Sequence, residues 1–248
     1  MRGLISDLFL IIPPDRGNNY RWKVSLKFIL TKQGLKAILF PIYLDLEAKT
    51  GLIVGGGQVA ERKIENLLDY GMNIRVVSPQ ARARIQEWAE QSIIQWQARD
   101  FCESDLQGVF LAFVATDNNS VNQAVVEACR KAGVLVNAVD DPPNCDFYVP
   151  SIVRRGSLVL AISTEGKSPF FARRLREELE NTISPAYGEF VEIMGEVREE
   201  IKEKIPDITV RKKIFASLVY SDVLELLKAG EKDKARERIE ACMSSWRD

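Results

Sequence analysis

One turn constrains this chain more than any other feature. Leu52-Ile53-Val54 is a short apolar run with strand character, it stops at Gly55-Gly56-Gly57, and a helical period begins at once. Ala60, Ile64, Leu67 and Leu68 fall on one face of that helix, Gly71 ends it, and a second strand follows at Ile74 to Val77. Gly55 to Ala60 reads GxGxxA directly after a strand and directly before a helix, the context that the dinucleotide fingerprint requires. In that context Gly55 permits the tight turn, Gly57 lets a pyrophosphate approach the backbone, and Ala60 allows helix to pack closely on strand. The N–H groups from Gln58 and Val59 onward then face the anion. The acid that would hold a ribose 2′-hydroxyl at the end of the second strand is missing; Ser78, Pro79 and Gln80 stand there. The choice between NAD and NADP therefore stays open at this site. Arg75 lies within the strand and reads as a surface residue.

The alternation continues with strands at Ile93 to Ala98, Val109 to Ala115 and Val134 to Val139. A helix between the last two presents Val121, Val125, Ala128 and Cys129 to the sheet. The fold class is α/β: a Rossmann-like, doubly wound parallel sheet over residues 39–150. After Pro142-Pro143 the character changes. Leu158 to Ile162 reads as a further strand, and a helix capped near Ser168-Pro169 carries the stripe Phe171, Leu175 and Leu179, which sets off a small segment, 151–183. Residues 184–248 form a helical C-terminal domain, with Phe190, Ile193, Met194, Val197 and Ile201 on one face and Ala235, Ile239, Cys242 and Met243 on another. Residues 1–38 are a basic N-terminal extension, expected to stand apart from the chemistry. Its apolar run Leu4 to Ile12 is broken by Asp7 and stopped by Pro13-Pro14, too short to span a bilayer and followed by no small-residue cleavage site.

The chain has no histidine, and its four cysteines form no CxxC pair. Histidine-based catalytic schemes and zinc-finger or HExxH sites are excluded, no metal ligands are assigned, and a reducing, cytoplasmic setting is expected. A net charge of −1 steers the chain to neither nucleic acid nor membrane. The acid–base work falls to carboxylates. Asp140 and Asp141 close the last parallel strand at the edge where such sheets bind ligands; strand alternation sends them to opposite sides, and either is a candidate general base. Asp117-Asn118-Asn119-Ser120 reads as a helix N-cap cluster. Positive charge gathers at Arg154, Arg155, Lys167, Arg173, Arg174 and Arg176, and Thr164 to Ser168 adds hydroxyls and backbone donors suited to an anion. Against that reading, Glu177, Glu178 and Glu180 are available as helical partners of the arginines.

Taken in order, Leu52 to Lys63, Ala115-Thr116-Asp117 with Val121-Asn122, Asn137 to Asp140, Phe147 with Pro150-Ser151-Ile152, and Ser168-Pro169 with Ala172-Arg173 form a series. The series resembles the precorrin-2 dehydrogenase and sirohydrochlorin ferrochelatase module of sirohaem synthases, over about residues 39–183. The resemblance implies NAD-dependent oxidation of precorrin-2 to sirohydrochlorin, followed in many members by insertion of ferrous iron, a substrate, to give sirohaem. It implies a homodimer built by the 151–183 segment, a helical end closing over a tetrapyrrole substrate, and Asp140 rather than Asp141 as the catalytic acid. Cofactor contacts map to Gln58, Val59, Pro79 and Gln80 beside Gly55 and Gly57. Thr164 stands where some members carry a serine, and Lys167, Ser168 and Arg173 are the further candidates for the substrate's carboxylates. A dehydrogenase without chelatase activity, and a dinucleotide-sensing module without catalysis, are the alternatives.

Overall fold

The strand β1 (Thr50–Val54) is apolar on both faces, and Leu52 and Ile53 have no exposure at all. That is the pattern of a central parallel strand covered on both sides. It belongs to a computed structural model that describes residues 39–244; the basic extension expected over 1–38 lies outside the described residues. There follow α1 (Gln58–Leu68), β2 (Asn73–Val77), α2 (Ala83–Glu90), β3 (Gln95–Gln97), β4 (Val109–Val114), α3 (Asn119–Ala132) and β5 (Leu135–Ala138). All five strands are parallel and stand in the order β3-β2-β1-β4-β5. The order reverses between β1 and β4, which opens a crevice at their C-terminal ends.

Two cores sandwich the sheet. Ile53, Val76 and Phe113 pack under α1 and α2 with Ile64, Ile85 and Trp88, while Leu52, Val54, Ala112 and Val136 meet Val125 and Val126 of α3. Each of the valine, leucine, isoleucine and phenylalanine side chains contributes about 1.5–3 kcal/mol by leaving water. The third strand is shorter than its apolar pattern predicts. Trp88 O at the end of α2 accepts hydrogen bonds from the N–H groups of Ile93 and Ile94, so those two residues close a turn and pairing begins only at Gln95.

After β5 a short 3-10 turn leads to β6 (Ser151–Arg155) and β7 (Leu158–Ile162), an antiparallel hairpin apart from the main sheet. β7 matches expectation and β6 does not, because Ser-Ile-Val-Arg-Arg gains strand character only by pairing with Leu158 to Ile162. Next come α4 (Pro169–Thr182), α5 (Pro185–Lys204), α6 (Ile208–Val219), α7 (Val223–Lys228) and α8 (Lys232–Ser244). The hairpin is latched to α5: Glu192 accepts from the backbone N–H (2.9 Å) and hydroxyl (2.6 Å) of Ser157, which holds its carboxyl below the usual range. The predicted helical faces assemble two small cores. Val197 and Ile201 pack with Ile214, Leu218, Cys242 and Met243, and Phe190 packs with Val223, Leu227 and Ala235. No helix among the described residues is long and apolar enough to cross a membrane.

Candidate functional site

A cleft of about 750 Å³ opens at the reversal point of the sheet. Gly55, Gly57, Gln58, Val59, Pro79 and Gln80, the six predicted cofactor contacts, all line it. Gly55 has φ of 121°, and a Cβ there would lie 2.2 Å from Ala115 O, so the turn admits no other residue without distortion. Gly57 caps α1 with no side-chain hydrogen bond, and a Cβ there would meet nothing within 4 Å. The first N–H groups of α1 thus open onto free space with the positive end of the helix dipole behind them. A dinucleotide pyrophosphate fits that cradle. Sequence reasoning gave no role to Gly56, yet a Cβ there would lie 2.0 Å from Gln80 O; the close approach is fastened by Arg82 N–H donating to Gly56 O at 3.0 Å.

Across the turn, Ala115 to Asn118 and Val121 form the opposite wall. Asn118 is the N-cap of α3, its side chain accepting from Ser120 N–H (3.0 Å) and Val121 N–H (3.2 Å). Asp117, expected within the capping cluster, lines the cleft instead. Arg75 sits away from it, donating to Asp105 O at 2.9 Å.

Asp140 is not in the cleft lining. It stands past the end of β5, the strand beside β4, and Val139 N–H donating to Val114 O at 3.0 Å ties the two strand ends together. The alternation expected to send Asp140 and Asp141 to opposite sides does not reach them, because β5 ends at Ala138. Asp140 takes φ of 60°, a left-handed conformation that costs most L-residues about 1–2 kcal/mol and that aspartate tolerates better than most. Its side chain is exposed, whereas Asp141 accepts from Asn144 Nδ2 at 2.7 Å. The residue missed on this edge is Lys63. Its amine lies 5.1 Å over the Phe113 ring, and Phe113 in turn meets Phe147 edge-on at 5.3 Å. Burial and the neighbouring Arg62 lower the lysine pKa, while the charges of Cys145 and Asp140 oppose that shift. Its place three residues after Ala60, on the buried face of α1, was the available signal.

The cationic strip is largely tied up. Arg155 caps the end of α4, donating to Ile183 O and Glu180 O at 2.8 Å each, and Arg154 lies 5.4 Å over the Tyr70 ring. Arg173, Arg174 and Arg176 pair one turn on with Glu177, Glu178 and Glu180, at 2.9, 2.8 and 2.6 Å. Exposed pairs of this kind contribute little and exchange readily, so Arg173 remains open to a competing carboxylate. The Thr164 and Ser168 hydroxyl oxygens accept from the N–H groups of Ser168 (3.1 Å) and Phe171 (3.3 Å), while Lys167 stands exposed, 4.0 Å from Glu165. These four residues share one loop and the start of α4, and none of them lines the cleft. Phe171 was expected inside the α4 stripe but is exposed, as is Phe170; Ala172 is the buried residue of that turn.

Three family models match the chain in succession: putative NAD(P)-binding over residues 42–151, sirohaem biosynthesis protein central over 155–182, and sirohaem synthase dimerisation region over 186–243. A siroheme synthase of Nitrosococcus oceani is 36% identical over 203 residues, which are 82% of this chain and 43% of that protein. One from Methylococcus capsulatus is 37% identical over 199 residues, 80% of this chain and 42% of its own length. The chain therefore spans less than half the length of these curated relatives. Among solved structures, SirC, a precorrin-2 dehydrogenase, superposes with a TM-score of 0.69 at 28% identity, covering 83% of this chain and 99% of that one.

Proposed function

Because the chain belongs to the siroheme synthase family, we propose that it is an NAD-dependent precorrin-2 dehydrogenase. It oxidises precorrin-2 to sirohydrochlorin in siroheme biosynthesis and then inserts ferrous iron, a substrate, into the product. The observation that carries this reading is an uncapped helix N-terminus opening on a dinucleotide-sized cleft, with an exposed carboxylate one strand away. Its support is the likeness to SirC over most of the chain.

NAD, when bound, supplies the hydride acceptor. Gly55 and Gly57 admit its pyrophosphate, the amides of Gln58 and Val59 hold it, and Pro79 and Gln80 floor the adenosine side. Asp140 takes the proton that leaves with the hydride, and no histidine competes for that role. The charge of Asp140 acts on the Lys63 amine, opposing the lowering of its pKa by burial. Thr164, Lys167, Ser168 and Arg173 receive the carboxylates of the tetrapyrrole; Arg173 exchanges its Glu177 partner for one of them. Metal insertion removes the ring N–H protons, again through Asp140, and the macrocycle provides the metal's ligands.

The working domains are 39–150 for the dinucleotide, 151–183 for substrate and subunit contact, and 184–248 for the helical end, whose match to a dimerisation region extends the contact of a homodimer. The free thiols of Cys102, Cys129 and Cys145 suit a reducing, cytoplasmic setting.

Precorrin-2 and NAD added to the purified protein should give NADH and sirohydrochlorin. Asp140→Asn, which tolerates the left-handed backbone, should lower the rate by about 10²-fold or more. Dinucleotide binding without turnover would mark a sensor, and full activity in Asp140→Asn would remove the assigned base.

A further inference from the structure

The fingerprint's acid is absent from the end of β2, yet the cleft holds a carboxylate on that side. Asp100 lines it together with Phe101, alongside Ser78, Pro79, Gln80 and Arg82. Strand order explains how it arrives there. β3 lies outside β2, about 4.8 Å away in the hydrogen-bonding direction, and its end is fastened to the end of β2: Ser78 N–H donates to Gln97 O at 3.2 Å and Trp96 Nε1 donates to Ser78 O at 3.1 Å. Beyond Gln97 the chain is pinned by Arg99, whose guanidinium holds the buried Asp105 (2.5 Å) and the carbonyl of Asp100 itself (2.8 Å). The Asp100 carboxylate, between that anchor and the partly buried Phe101, is left exposed at the cleft rim.

Among the described residues that line this rim the cation is Arg82, and it is paired. Arg82 Nε lies 2.7 Å from Glu61 Oε2 in a pair between the β2–α2 loop and the first turn of α1. A 2′-phosphate entering here would meet the Asp100 carboxylate and would have to compete with Glu61 for the half-exposed Arg82, whereas ribose hydroxyls would find an acceptor. Asp117, the other cleft carboxylate, stands across the glycine turn at the end of β4 and does not reach this side of the sheet.

We propose that Asp100, delivered from β3 in place of the usual acid of β2, makes the cleft select NAD over NADP by accepting from the adenosine ribose hydroxyls, with Glu61 competing against a 2′-phosphate for Arg82. The proposal rests on the dinucleotide reading of the cleft and does not need the tetrapyrrole reaction. Calorimetric Kd values for NAD and NADP on the full chain, without tetrapyrrole, test it. Wild type should bind NAD at least tenfold more tightly than NADP. Asp100→Asn should shrink that ratio about tenfold, by weakening NAD and relieving NADP, and Glu61→Gln should shrink it by tightening NADP. A ratio unmoved by both variants, or a wild type that prefers NADP, overturns the assignment of Asp100 and leaves the cleft reading intact. Binding of neither dinucleotide by wild type overturns both.

Discussion

Asp105 is the only charged side chain buried among the described residues, 4% exposed, and its neighbours explain why that burial is tolerated. The Arg99 guanidinium holds it from two nitrogens, at 2.5 and 2.9 Å, and the N–H of Cys102 donates to it at 2.9 Å. Hydrogen bonding to Arg99 dominates over burial and pulls its pKa down to about 2. A carboxyl depressed on folding stabilises the native state above its unfolded pKa near 3.8, and the contribution is lost as pH falls from there through about 2. The effect is on the order of 2 kcal/mol. Asp105→Asn should therefore lower urea-denaturation stability by about that much at pH 7, and the gap to wild type should narrow as both are titrated toward pH 2. An equal gap at both ends would show that the charge is not what stabilises this corner. The Arg99–Asp105 spacing was visible in the sequence but carried no pattern; the pair exists because the loop after β3 folds back on itself.

At the scale of elements, the turn between β1 and α1 combines two glycines with opposite sensitivities. A Cβ on Gly56 would overlap Gln80 O at 2.0 Å, so the β2–α2 loop must move to admit it; a Cβ on Gly57 would meet nothing within 4 Å. Gly56→Ala should lower the melting temperature of the free protein and widen the cleft. Gly57→Ala should cost at most about 1 kcal/mol, the usual penalty of alanine at an N-cap, while abolishing tight NAD binding through the space that the pyrophosphate needs. Thermal melts with and without NAD separate the two: equal melting losses in the free proteins would contradict this reading of the turn. The strand–glycine–helix unit was legible because its period and its glycines act over about ten residues. β6 was not, since its residues have no partner until the turn at Gly156 returns β7 alongside.

For the whole molecule, the helical end leaves Ile208, Val219 and Tyr220 exposed at 60%, 50% and 89% on or beside α6, within the span that matches a dimerisation region. Apolar surface of this kind on an otherwise charged bundle suits a subunit contact. Sedimentation equilibrium should return twice the chain mass of 28.0 kDa, and a monomer at micromolar concentration would remove the homodimer. The latch of Ser157 to Glu192 joins the hairpin to α5.

Reading the residues in order was enough for the parallel sheet, the glycine turn and the two amphipathic faces that become the helical cores, because burial periodicity and glycine's freedom are properties of short stretches. Lys63 over the Phe113 ring and Asp100 at the rim of the cleft needed the folded chain, whereas the pairing of the arginines with Glu177, Glu178 and Glu180 was available from their helical spacing. What a charge does depends on which opposite charge, ring or cavity the fold sets within a few ångströms of it, and strand order and loop closure settle that over distances in sequence that local patterns do not span.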